Sequence, residues 1–80
     1  MVTDEELKTV WGMFTDAWKF YKKYADVQQS DEYWKVLIAE ADVIAKKYQN
    51  NKVCRDLIIA VMSELERKSK EIQKMPQNAT

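Results

Sequence analysis

The sequence contains no histidine, one cysteine (Cys54), one glycine (Gly12) and one proline (Pro76). A single cysteine cannot form an internal disulfide, and an unpaired thiol is typical of a reducing compartment. Zinc sites need several cysteine or histidine ligands at set spacings, so we expect no metal ion and no cofactor. Because glycine and proline are the main residues of turns, their scarcity predicts few turns and long helices.

Targeting and membrane segments are also missing. The N-terminus, MVTDEEL, has no basic stretch followed by an apolar run, which a signal peptide would show. No apolar run approaches the ~18 residues that a membrane span needs. Together with the lone thiol, these absences predict a cytoplasmic protein that has no membrane partner.

The chain carries no excess charge of either sign. Lysine plus arginine and aspartate plus glutamate each number 13, so the net charge is zero. A dedicated nucleic-acid binder usually has a basic excess, because phosphate neutralisation supplies much of its affinity. The balance therefore argues against nucleic acid as the main partner.

Helical spacing and capping residues predict an all-α fold, an antiparallel three-helix bundle with helices over about 4–25, 31–48 and 52–74. Thr3 and Glu6 have the spacing of a capping box, and Ser30 is a good N-cap for the second helix. Gln49, Asn50 and Asn51 are a plausible helix stop, after which Asn51 can cap the third helix. We expect a single helical domain over 1–75 and a disordered tail over 76–80.

The segment WGMFTDAWKFYKKY (11–24) holds six of the nine aromatic residues. Such a segment could form a core, a docking face, a membrane-surface anchor or a base-stacking platform. Its apolar residues cover about 180° of a helix, and the lysines lie mostly on the other side. We therefore predict a core, anchored by Trp11, Trp18 and Trp34. The predicted inner seam of the first helix consists of Leu7, Trp11, Phe14, Trp18, Tyr21 and Ala25.

Several apolar residues fall off the predicted seams. They are either ordinary exposed side chains or an interface for another protein chain, which could be a second copy of this one. Methionine and large apolar side chains are common in adaptable interfaces. The candidate interface residues are Met13, Phe20, Ile59 and Met62.

A second hypothesis assigns the chain to nucleic-acid-associated accessory or regulatory proteins. In that case Lys19, Lys22 and Lys23 would contact phosphates, and the affinity would fall steeply with salt. We expect binding to short DNA or RNA to be weak at physiological salt.

Residues for catalysis are scarce. There is no histidine and no glycine-rich phosphate loop, and the carboxylates are scattered along polar helix faces. Glu40 is the best candidate for a perturbed carboxylate, and we expect it to be a rim residue paired with a lysine such as Lys47 or Lys35. Cys54 lies on a predicted core seam. A bundle this small leaves little room for a small-molecule substrate, so we expect the chain not to be an enzyme.

Three segments carry a resemblance: DAWKFYKKY (16–24), DEYWKVL (31–37) and SELERKSK (63–70). Their order resembles small uncharacterised helical proteins of Gram-positive bacteria, which often occur among phage or conjugative-element genes. The resemblance implies a bacterial cytosolic protein that acts by binding, and it supplies no catalytic residue.

Overall fold

Three helices form the bundle in the computed structural model, which describes residues 1–74. Helix α1 spans Asp4–Tyr24, α2 spans Asp31–Lys47 and α3 spans Lys52–Lys74. The first and third helices run in the same direction and share the most extensive contact, and α2 returns antiparallel to both. The predicted all-α three-helix bundle is confirmed. The predicted tail over 76–80 lies outside the described residues.

Side-chain caps begin each helix where the sequence predicts them. The Thr3 hydroxyl accepts a hydrogen bond from the Glu6 amide at 3.1 Å. The Ser30 hydroxyl accepts one from the Tyr33 amide at 3.2 Å, and the Asn51 side chain accepts one from the Val53 amide at 2.8 Å. Each bond satisfies an amide that has no partner inside its own helix.

The turn between α2 and α3 closes in the left-handed conformation. Gln49 and Asn50 have φ angles of 54° and 58°. The Asn50 amide donates to the Ala45 carbonyl at 2.8 Å, and the Gln49 amide donates to the Lys46 carbonyl at 3.0 Å. This is the Schellman pattern, so the predicted helix stop at 49–51 is confirmed.

The core uses a different face of α1 from the one predicted. Trp11 and Trp18 are exposed, and Trp34 is only half-buried. The largest fully buried side chains include Phe20, Leu37 and Leu65. The four buried residues of α1, here called the α1 core face, are Met13, Ala17, Phe20 and Tyr24.

The buried face of α1 is shifted by one residue from the predicted inner seam. The α1 core face has the same spacing as Phe14, Trp18, Tyr21 and Ala25 of the predicted seam, but begins one position earlier. One residue turns a helix by about 100°, so the tryptophans rotate away from the core. Periodicity alone could not choose between the two seams, because both are apolar along their length.

Polar contacts to α2 account for the rotation that the helix adopts. The Lys47 ammonium lies 2.8 Å from Asp16, and the Lys23 ammonium lies 2.8 Å from Glu40. Both α1 partners lie on the side of α1 that is turned away from the tryptophans. Turning Trp11 and Trp18 inward would carry these charged groups away from α2.

Gly12 permits a close approach between α1 and the end of α2. A Cβ atom at this position would lie 2.8 Å from the Tyr48 hydroxyl oxygen, which is closer than real contacts allow. That hydroxyl donates a 2.6 Å hydrogen bond to Asp16. The glycine therefore leaves room for a polar link between the two helices.

The loop between α1 and α2 is fastened to both neighbouring helices. The Tyr33 hydroxyl donates to the Tyr24 carbonyl at 2.6 Å, and the Lys68 ammonium donates to the Ala25 carbonyl at 2.7 Å. Val27 of the loop is buried in the core. These contacts hold the C-terminal end of α1 against α2 and α3.

Replacing Phe20 and Trp18 separately by alanine tests which face of α1 forms the core. Phe20→Ala should cost about 3–5 kcal/mol, the usual range for a buried ring. Trp18→Ala should change stability by no more than about 1 kcal/mol, because its ring is exposed. Denaturant melts of dilute protein measure both values, and the reverse order would restore the tryptophan core.

A double-mutant cycle tests the role of Gly12. Alanine is favoured over glycine within a helix by about 1 kcal/mol, but the new methyl group would displace the Tyr48 hydroxyl from Asp16, at a similar cost. Gly12→Ala should therefore be nearly neutral in the parent and stabilising by about 1 kcal/mol in a Tyr48→Phe background. Equal effects in the two backgrounds would show that Tyr48 does not require the glycine.

Candidate interaction surface

An exposed apolar stripe runs along α1. Leu7, Trp11, Phe14 and Trp18 are 58%, 70%, 54% and 57% exposed. They are four, three and four residues apart, so each is next to the following one on the helix surface. These four residues are here called the α1 stripe.

The α1 stripe is continuous, and it is comparable in size to the largest apolar patch on a typical monomer. An aromatic side chain can bury about 150–250 Å², so three rings more than half exposed leave on the order of 300 Å² accessible. Single exposed apolar side chains are common. Contiguous patches of this size are far less so, and on monomers they often mark functional sites.

Neighbouring groups order the C-terminal end of the stripe. The Trp18 ring stacks on Tyr21 with centroids 6.2 Å apart and planes 22° apart. The Lys22 ammonium lies 5.8 Å from the centre of the Trp18 ring, and the Lys68 ammonium lies 5.7 Å from that of Tyr21. The rings therefore belong to a packed surface with a cationic rim.

The N-terminal end of the stripe has no neighbouring helix beside it. Every side chain from Asp4 to Thr9 is exposed, and burial in α1 begins at Val10. Thus the first two turns of α1 extend past the region where α2 and α3 cover it. Leu7 lies in this extension.

The structure divides the predicted interface residues between core and surface. Met13 and Phe20 are 3% and 1% exposed, so their assignment to an interface is wrong: both belong to the α1 core face. Ile59 is exposed and Met62 is half-buried. These two residues line a shallow groove between α2 and α3, together with Ile38.

A larger groove separates α1 from α2. Its volume is about 590 Å³, and its floor includes Phe20 and Ile44. Val36 and Val43 line its α2 side, and Lys19 lies on its α1 side. The groove is therefore apolar at its floor and charged along its rim.

Two hydrogen-bonded networks bridge this groove. In one, Asp16 accepts from Lys47 at 2.8 Å and from Tyr48 at 2.6 Å. Burial alone would raise the pKa of Asp16, but these two donors outweigh it and lower the pKa below its ordinary value.

The second network centres on Glu40. This carboxylate accepts from Lys23 at 2.8 Å and from Tyr24 at 2.9 Å. The predicted pairing with a lysine is confirmed, but the partner is Lys23 and not Lys47 or Lys35. Burial acts to raise the pKa of Glu40, and the two donors lower it below its ordinary value. The perturbation thus has a structural cause, namely the contact that joins α2 to α1.

The three lysines proposed for nucleic-acid contact do not act as one cluster. Lys23 pairs with Glu40, Lys19 lines the groove between α1 and α2, and Lys22 lies beside Trp18. The expectation that rings and lysines occupy separate faces is wrong for Lys22. Its position beside an exposed ring favours the nucleic-acid hypothesis.

Cys54 is a core residue, as the sequence predicts. Its side chain is 1% exposed, and its sulfur lies 3.8 Å from the Ile44 carbonyl oxygen. Burial raises the pKa of the thiol. The reactive thiolate is therefore disfavoured.

Within residues 1–74, no group of three or more acidic or cysteine side chains is arranged to hold a metal ion. None of the helices in this range has both the length and the apolar character that crossing a membrane requires. No family model, curated protein or solved structure matches the chain. The resemblance to small proteins of Gram-positive bacteria stays a prediction.

Sequence reasoning identified every residue of the α1 stripe but assigned all four to the core. One signal pointed the other way. Asp16 and Lys23 lie closer to the α1 core face than to the stripe, and α2 carries their charge partners Lys47 and Glu40. Matching charges between helices, in addition to apolar spacing, would have selected the correct face.

The two networks predict a loss of stability at low pH. Because the pKa values of Asp16 and Glu40 are lowered by folding, their contribution is complete above the unfolded values of about 3.9 and 4.3. It is lost as the pH falls through the lower folded-state values. Thermal melts from about pH 5 to about pH 2 should show a smaller drop for the Asp16→Asn/Glu40→Gln variant than for the parent.

Asp42→Asn provides a matched control for this experiment. Asp42 is also paired with a lysine, Lys46 at 2.9 Å, but its side chain is 61% exposed. Exposed pairs of this kind contribute little, so the control should follow the parent. If the Asp16→Asn/Glu40→Gln variant also loses stability to the same extent as the parent, these two carboxylates are not the source of the acid-dependent loss.

Proposed function

We propose that this chain is a non-catalytic protein-interaction module of the cytoplasm, and that it binds another polypeptide through the α1 stripe. The observation that carries the proposal is the exposure of Trp11, Phe14 and Trp18 on one face of an ordered helix. Tryptophan is among the residues most enriched where protein interfaces gain their affinity.

The support beneath the stripe suits a binding surface. The opposite side of α1 is anchored by the α1 core face, and the networks at Asp16 and Glu40 fix its rotation. A partner would therefore meet rings that are already positioned, and little conformational entropy would be lost on binding. Charged residues around the stripe, such as Lys22, provide a polar rim.

The described residues support catalysis less well than they support protein binding. The perturbed carboxylates, Asp16 and Glu40, each bond to a lysine and a tyrosine that join α1 to α2. Both groups are accounted for by the packing of these helices. A general acid or base would instead face a substrate pocket with its proton free to transfer.

A nucleic-acid-associated role is the second candidate, favoured by Lys22 beside Trp18. Base stacking needs exposed rings together with a cationic groove that follows the phosphates. The rings are present, but Lys23 and Lys47 are paired with carboxylates, and the net charge of the chain is zero. Protein binding therefore explains the exposed rings, the paired lysines and the zero net charge together, whereas nucleic-acid binding explains only the rings and Lys22.

Photo-crosslinking in cells that express the chain tests the proposal. Benzoylphenylalanine replaces Trp11 in one version and Ile59 in the other, because Ile59 is similarly exposed, at 56%, but lies away from the stripe. The Trp11 position should give crosslinks to a polypeptide, and the Ile59 position should give few. Crosslinks from Ile59 alone would move the binding surface to the groove between α2 and α3.

Binding to short oligonucleotides tests the second candidate directly. We expect weak binding to single-stranded DNA and RNA at physiological salt, because the chain has no net positive charge. A sub-micromolar affinity that falls steeply with salt and is abolished by Lys22→Gln would contradict protein binding as the main role of the stripe. Lys70→Gln, on an exposed part of α3, is the control.

A further inference from the structure

We infer that the α1 stripe packs against the α1 stripe of a second copy of this chain, with the two helices antiparallel about a twofold axis between Trp11 and Phe14. The inference rests on the proposed function, since it names the partner of the same surface. Three features support it: the spacing of the stripe, the charges at its ends and its shape.

The spacing of the stripe reads the same in both directions. Successive members are separated by four, three and four residues, so reversing the helix returns the same order of separations. A twofold axis at the midpoint would set Leu7 opposite Trp18 of the second copy, and Trp11 opposite Phe14. Such alternation of four and three is the spacing of a coiled-coil seam, and a twofold interface requires a self-complementary surface.

The charges at the two ends of the α1 stripe become complementary when the same twofold rotation brings two copies together. Asp4 lies just before the stripe and Lys22 just after it, and both are exposed. They are 18 positions apart, five full helical turns, so they lie on the same side of α1. An antiparallel pair brings Asp4 level with Lys22 of the second copy at both ends. A parallel pair would instead place Asp4 level with Asp4 and Lys22 level with Lys22, on opposite sides of the interface, so neither charge would meet its opposite.

The shape of the surface also favours a second copy. The stripe is a convex helix face, and its first member, Leu7, lies on the extension at Asp4–Thr9, where all the side chains are exposed. A second helix can therefore lie along the full stripe. The two grooves that flank α2 are concave. A concave groove cannot pack into the same groove of a second copy, so each would need a partner of complementary, convex shape.

The accessible area indicates a reversible dimer. Pairing would cover on the order of 600 Å² of ring surface over the two copies, with Leu7 and the stems of the flanking lysines adding to it. The total lies near the lower end of specific interfaces, which begin at roughly 1,000 Å². Association should therefore depend on concentration over the micromolar range.

Sedimentation velocity over a range of concentrations tests the pairing with purified protein. The parent should pass from monomer to dimer, and Trp11→Gln/Trp18→Gln should weaken association by at least about tenfold. Val43→Gln/Ile59→Gln is the matched control, since those residues are 64% and 56% exposed. Circular dichroism should show that both variants remain helical, because none of these side chains is in the core.

Crosslinking between cysteines tests the orientation without altering the stripe. Asp4→Cys and Lys22→Cys chains are treated with a short bismaleimide, separately and as a mixture; Cys54 is buried and stays unmodified. An antiparallel pair gives crosslinked dimers in the mixture and almost none in either sample alone. Dimers from the separate samples would indicate a parallel pair and overturn the inference.

The outcomes separate this inference from the proposed function. A parent that stays monomeric at high micromolar concentration overturns the second copy as partner. If photo-crosslinks from Trp11 then join another polypeptide, the proposed function stands without the inference. If the Trp11 product instead contains nucleic acid that nuclease removes, both are overturned.

Discussion

Helix α1 carries more apolar surface than its two neighbours can cover, and this excess shapes the rest of the molecule. Its apolar residues span about half of the helix circumference. In a chain of 80 residues, only ~60% of the surface exposed on unfolding becomes buried. One apolar face of α1 must therefore remain uncovered in the single chain, either the α1 core face or the α1 stripe.

Polar contacts to α2 fit the face that the structure buries. Apolar burial alone would favour an inward-facing tryptophan seam, because tryptophan has a larger apolar surface than methionine or alanine. The observed rotation instead satisfies Asp16 and Glu40 with two donors each. It also places Gly12 beneath the Tyr48 hydroxyl, the one place in α1 with no side chain in the way. The networks thus distinguish the two apolar faces, which spacing alone leaves equivalent.

The difference between local signals and long-range contacts explains which features of the structure could be predicted from the sequence. Helix number and ends follow from local chemistry, such as the cap at Ser30 and the left-handed stop at Gln49, and these features were predictable. The rotation of α1 depends on contacts between residues 31 or 32 positions apart, such as Asp16 with Lys47 and Tyr48. Periodicity contains no information about such pairs. The interface hypothesis for Met13 and Phe20 failed for this reason, since they exchange places with Phe14 and Tyr21 when the helix turns by one residue.

The selected face has consequences for association. Exposed tryptophan rings are costly in water, and a chain with zero net charge has no overall electrostatic repulsion to keep its copies apart. Covering the rings in a partner removes the cost that the fold incurs by turning them outward. Because a small domain has a narrow stability margin, a complex that buries this stripe also stabilises the folded state by mass action. In this chain the arrangement that satisfies Asp16 and Glu40 within the bundle is also the one that leaves the α1 stripe exposed.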